Sequence, residues 1–111
     1  MSDIPAGGRF SGQVVVITGS ATGIGRATAI RFASEGAAVA CLDIEKEENE
    51  ATAADASALG TQAVAFACDV RSRAEQEAAI VAVVERWGRI DVLVACAGSY
   101  VGGPLHDIPL E

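Results

Sequence analysis

The stretch Thr18-Gly19-Ser20-Ala21-Thr22-Gly23-Ile24-Gly25 (TGSATGIG, residues 18–25) decides how the rest of the chain is read. It follows the short β-branched run VVVIT (14–18) and opens a segment of helical character over about 23–35, which Gly36 closes. Gly19 permits a tight turn off the strand. Gly23 lets the backbone approach a bound pyrophosphate with no Cβ in the way, and Gly25 lets the helix pack closely on the sheet. The free N–H groups and the positive end of the helix dipole then face the phosphates. Ser20 and Thr22 add hydroxyl donors. A glycine cluster alone is weak evidence; its place between a strand and a helix gives it weight.

Working outward, the same unit of apolar run, turn and helix recurs. AAVACLD (37–43), QAVAFACD (62–69) and DVLVACAG (91–98) are continuous rather than alternating apolar runs, the pattern of strands covered on both faces. Helices are expected over about 45–59 and 73–87, ended by Gly60 and Gly88. In the first helix Ile24, Ala27, Ile30 and Ala33 are expected to share the buried face. In the third, Ile80, Val83, Val84 and Trp87 form an amphipathic stripe, with Trp87 in core packing. Strand–helix alternation predicts right-handed βαβ units and an α/β fold, a parallel Rossmann-type sheet.

Asp43 ends the second run, twenty residues after Gly23. A carboxylate there accepts hydrogen bonds from the adenosine ribose hydroxyls and repels a 2′-phosphate. No Arg or Lys stands at 20–22 or 44, which favours NAD over NADP; Arg26 and Lys46 are the cations nearest to that reading. Asp69 ends the third run and is followed by Val70. It either caps the next helix or hydrogen-bonds adenine while Val70 lines the ring, and the two roles are compatible.

Composition narrows the classes. The 111 residues fit one small domain, and 50% of them are hydrophobic while only 5% are aromatic, so the core must be built from Ala, Val, Ile and Leu. A net charge of −7 with no basic run argues against nucleic-acid and anionic-membrane partners. Neither a signal peptide nor a membrane-length apolar stretch is visible, so a soluble, cytoplasmic chain is expected, with residues 1–12 as a flexible lead-in and 13–111 as a partial NAD(P)-binding domain. Cys41, Cys68 and Cys96 lack the spacing of a disulfide framework or a metal site and read as small buried hydrophobes.

Taken together, TGSATGIG, Asp43, CDV (68–70) and WGRIDVLVACAG (87–98) resemble the short-chain dehydrogenase/reductase family over about residues 10–111. The resemblance implies strand order 3-2-1-4 and hydride transfer between a nicotinamide and an alcohol or carbonyl substrate. It implies that Gly19, Ser20, Thr22, Gly23, Ile24 and Gly25 line the pyrophosphate and nicotinamide side, that Asp43 reads the ribose, and that Asp69 and Val70 meet the adenine. Where the family has NNAG, this chain has Ala95-Cys96-Ala97-Gly98, so Cys96, Ala97 and Gly98 are expected to reach the cofactor largely through backbone.

The family's catalytic Ser, Tyr and Lys have no counterpart. Tyr100 is the only tyrosine, and position 104 of the Tyr-x-x-x-Lys frame is proline; Lys46 is the only lysine. His106 and Asp107 read as helix-entry chemistry rather than an acid–base pair. The chain is therefore expected to be the cofactor-binding half of a longer enzyme, inactive by itself, with homo-oligomer contacts on later helices. A sheet stopping at its fourth strand would leave DVLVA as an apolar open edge and the chain marginally stable alone. A non-catalytic nucleotide-binding module is the competing reading; a methyltransferase on a related fold is disfavoured by the TGxxxGIG spacing.

Overall fold

The computed structural model describes residues 8–96. Its elements alternate: β1 (Val14–Thr18), α1 (Gly23–Ser34), β2 (Ala38–Asp43), α2 (Lys46–Ser57), β3 (Ala63–Ala67), α3 (Arg73–Trp87) and β4 (Val92–Ala95). The strands form one sheet in the order β3-β2-β1-β4, and each neighbouring pair is parallel. This is the Rossmann-type order that the family resemblance implies.

Strand register sorts the apolar side chains. Val15, Ile17, Val39 and Cys41 point to one face, where they meet Ala29 and Ala33 of α1 and Ala53 and Ala56 of α2. Val14, Val16, Ala40 and Leu42 point to the other, against Ala79 and Val83 of α3. β1 and β2 are thus buried on both sides, which is why their sequences run apolar without alternation. The alanines let the helices approach the sheet closely, so the core fills without aromatic rings. Burying each Val, Leu or Ile here contributes roughly 1.5–3 kcal/mol.

The helix faces differ from expectation. In α1 the buried set is Gly25, Ala29 and Ala33, with Ile30 half-buried, while Ala27 faces outward and Ile24 is 78% exposed. The phase is set by the small residues Gly25, Ala29 and Ala33, because close approach to the sheet matters more there than hydropathy. In α3 the stripe is centred on Ala79 and Val83, with Ile80 and Trp87 against its flank and Val84 on the exposed shoulder. Trp87 packs on that core as expected, and its indole N–H donates to Gln62 Oε1 at 2.8 Å.

Strand ends also move. β3 stops at Ala67, short of the run 62–69, because Cys68 and Asp69 turn into the loop before α3; β4 spans Val92–Ala95, and residues 97–98 of the run 91–98 lie outside the described residues. Residues 8–12, expected within a free lead-in, are tied down. The Phe10 N–H donates to Glu35 O at 2.8 Å, and the Phe10 ring stands edge-on to Phe32 with centroids 4.9 Å apart. Phe10 adds apolar area to the α1–α2 core, which offsets the order it imposes on the turn. The Glu35 carboxylate beneath is buried and bridged by Arg31 at 3.1 Å and Arg9 at 3.9 Å.

Cys41 lies fully buried in β2, and desolvation pushes its thiol from 9.0 up to about 11. A folded-state value above the unfolded one means that the folded chain holds the proton longer. Stability from this group is intact below about pH 9 and erodes as pH rises toward 11. Burial pushes Cys68 in the same direction. Thermal melts between pH 8 and pH 11 should therefore show a falling midpoint, and Cys41→Ala should flatten part of that slope. Parallel slopes in both proteins would contradict the assignment.

Candidate functional site

The carboxyl ends of all four strands open onto one cleft of about 330 Å³. Gly19, Thr22, Ile24 and Gly25 form one wall at the start of α1. Asp43, Ile44 and Glu45 follow from the end of β2; Cys68, Asp69, Val70 and Arg71 follow from β3; Cys96 closes the side next to β4. Gly19, Thr22, Ile24 and Gly25 of the turn, the two strand-end acids, Val70 and Cys96 are thereby brought together on one cleft.

The turn is built by two different demands. Gly19 leaves β1 with φ +73°, a left-handed conformation that glycine adopts without strain, and its N–H is anchored to Leu42 O at 2.9 Å. Gly25 is required for space: a Cβ there would lie 1.8 Å from the carbonyl oxygen of Gly19. Thr22 is the N-cap of α1, yet its side chain makes no capping bond, so the first N–H groups of α1 are not met by that hydroxyl. In α3, by contrast, Ser72 Oγ accepts from the Glu75 N–H at 3.2 Å and caps the helix.

Two residues of the turn sit differently from expectation. Ser20 is fully buried, and its hydroxyl donates to Asn49 Oδ1 at 2.6 Å, so it braces the turn from behind instead of offering a phosphate donor. Asn49 in turn donates to Cys41 O at 2.8 Å, and Thr52 Oγ1 donates to Ala21 O at 3.3 Å. Ser20, Asn49 and Thr52 form a buried polar link from α2 to the turn. Gly23, with φ +60° and nothing within 4 Å of a built Cβ, borders a shallower groove with Arg26 rather than the cleft wall.

Asp43 holds the turn as well as facing the cleft. Its Oδ2 accepts from the Ala21 N–H at 3.0 Å and its Oδ1 from the Glu45 N–H at 2.9 Å. Each oxygen keeps lone-pair capacity for a further donor. Arg26 is engaged by Thr52 and Asp55, and Lys46 is not on the cleft wall.

Asp69 is not the cap of α3; Ser72 is. Its carboxylate is instead gripped by Arg71, whose hydrogen bonds hold it below the usual carboxylate range. Ile44, Glu45 and Arg71 also line the cleft without a sequence reading that places them there, and Cys68, read from sequence as a buried hydrophobe, borders it too. Ile44 carried a usable signal, since an isoleucine between two acids at a strand end has no core to enter; it is 58% exposed. Ala97, Gly98, Tyr100, His106 and Asp107 lie outside the described residues.

Fold and cleft define a Rossmann-type α/β domain. The model of the family described as short chain dehydrogenase matches residues 13–111, and the chain belongs to that family. It is 42% identical over 103 residues to a sorbitol dehydrogenase of Cereibacter sphaeroides, covering 93% of this chain and 39% of that protein. It is 40% identical to a D-threitol dehydrogenase of Mycolicibacterium smegmatis, covering 93% and 40%. The fold is similar to a hydroxysteroid dehydrogenase from Escherichia coli, with a TM-score of 0.80, 36% identity, and coverage of 91% of this chain and 43% of that one. An NAD+-bound xylitol dehydrogenase gives a TM-score of 0.75 at 39% identity, covering 77% and 33%. The chain spans about two fifths of the length of these curated relatives.

Proposed function

We propose that this chain is the nucleotide-binding portion of an oxidoreductase that uses NAD in preference to NADP and acts on an alcohol or carbonyl substrate. The observation that carries the reading is the Asp43 carboxylate standing in the same cleft as the glycine turn at the start of α1.

The residues present fit the cofactor. The volume of about 330 Å³ is within the range of small-molecule sites. The backbone at Gly19 and Gly25 carries no side chain into the cleft, and the helix N-terminus directs positive potential there. Asp43 accepts from vicinal ribose hydroxyls, and Glu45 beside it adds a second negative charge against a 2′-phosphate. Asp69 and the Val70 backbone provide the adenine edge, and Cys96 borders the cleft next to β4. When bound, NAD supplies the hydride-accepting ring. Three free cysteines, Cys41, Cys68 and Cys96, agree with a reducing cytoplasmic setting, and among the described residues no helix is long and apolar enough to cross a membrane.

Titration with NADH followed by its fluorescence tests the reading. Saturable binding of NADH, with NADPH weaker by about tenfold or more, is expected. No binding of either nucleotide would remove it.

A further inference from the structure

The loop after β3 is held by side-chain hydrogen bonds from both of its ends. The Asp69 Oδ1 accepts from the Arg71 backbone N–H at 2.9 Å and from Arg71 Nε at 3.0 Å, and Oδ2 accepts from Arg71 Nη2 at 3.0 Å. The Asp69 N–H donates to Glu75 Oε1 at 2.8 Å, and Gln76 donates to Val70 O. The Val70 N–H meets no acceptor among the described residues. Asp69, Val70 and Arg71 all line the cleft, and the Asp69 side chain is 24% exposed there.

This leaves a carboxylate acceptor and an adjacent backbone donor side by side on a fixed loop. A 6-aminopurine presents the matching pair, an amino donor next to a ring-nitrogen acceptor. A 6-oxopurine presents the reverse, a carbonyl opposite the carboxylate and a ring N–H opposite the Val70 N–H. We infer that Arg71 is a positioning residue that aims the Asp69 carboxylate and thereby makes the cleft select an aminopurine dinucleotide over its oxopurine analogue. The inference rests on the NAD-binding reading above. Its physical content is geometric: a guanidinium fork on both oxygens fixes the plane of the carboxylate, and an Asp69 without it can rotate away from an unfavourable carbonyl.

The test compares NAD with nicotinamide hypoxanthine dinucleotide by calorimetric titration of the whole chain. The unmodified protein should favour NAD by about tenfold or more. Arg71→Gln should bring the ratio to within about threefold, Arg71→Lys should restore part of it, and Arg71→Gln added to Asp69→Asn should change the ratio no further than Asp69→Asn alone. Arg71 is 70% exposed, so these variants keep the core intact. Equal weakening of both dinucleotides by Arg71→Gln would overturn the inference, since a direct contact or a structural role lowers both alike. Equal affinities in the unmodified protein would overturn it while leaving the NAD reading standing. Binding of neither dinucleotide would end the NAD reading and this inference together.

Discussion

Gly25→Ala is expected to destabilise the chain by about 3 kcal/mol or more, a large share of what holds a domain of this size together. The added methyl would meet the carbonyl oxygen of Gly19 at 1.8 Å and its carbon at 2.6 Å, both backbone atoms that no rotamer change can move. Relief requires α1 to lift from the sheet, which opens the contact of Ala29 and Ala33 with Val15 and Ile17. Gly23→Ala is the internal control. Its Cβ enters open space, so its stability cost is the backbone strain at φ +60° alone, about 1–2 kcal/mol. Urea unfolding followed by far-ultraviolet circular dichroism should place Gly25→Ala well below Gly23→Ala, or show no cooperative transition for it. Equal midpoints for the two would mean that helix and turn are not in the contact described.

Asp43→Ala should reverse or erase the preference for NAD. Removing the carboxylate costs NAD its charge-assisted bonds, about 1.5–3 kcal/mol or roughly 10- to 150-fold in affinity, and lifts the repulsion that a 2′-phosphate meets. The NADH-to-NADPH affinity ratio should therefore fall by more than the loss in NADH binding alone. The same variant also strips the Ala21 and Glu45 N–H groups of their acceptor, so its melting midpoint should drop as well. Asp43→Glu separates the two effects, since it keeps the charge but moves it beyond the reach of the two backbone donors. A ratio unchanged in Asp43→Ala would leave the carboxylate a structural brace with no part in nucleotide choice.

Much of this architecture was legible in the residues. Four apolar runs interrupted by helix-forming segments dictate a parallel sheet, and the glycine spacing after VVVIT places the turn. What escaped is what depends on contact rather than composition. The buried face of α1 is organised by Gly25 and Ala29, so a reading weighted toward Ile24 picks the wrong side. Ser20 looked like a phosphate donor because serine at a turn offers a hydroxyl to any neighbour. Only the fold reveals that Asn49, on a helix far along the chain, claims it. Arg71 is far from Asp43 in sequence, and only the sheet order brings the β3 loop to the same opening.

The tether formed by Ser20, Asn49 and Thr52 has a kinetic and energetic consequence. Because α2 already immobilises the glycine turn, the entropy of ordering that turn is spent when the protein folds, so the nucleotide proposed above would meet a loop already in place. Binding of that nucleotide is then expected to need no prior ordering of the turn. The same tether makes α2 a remote control: fraying of that helix would loosen the loop it anchors, so nucleotide affinity is expected to decline although Asn49 and Thr52 lie outside the cleft wall.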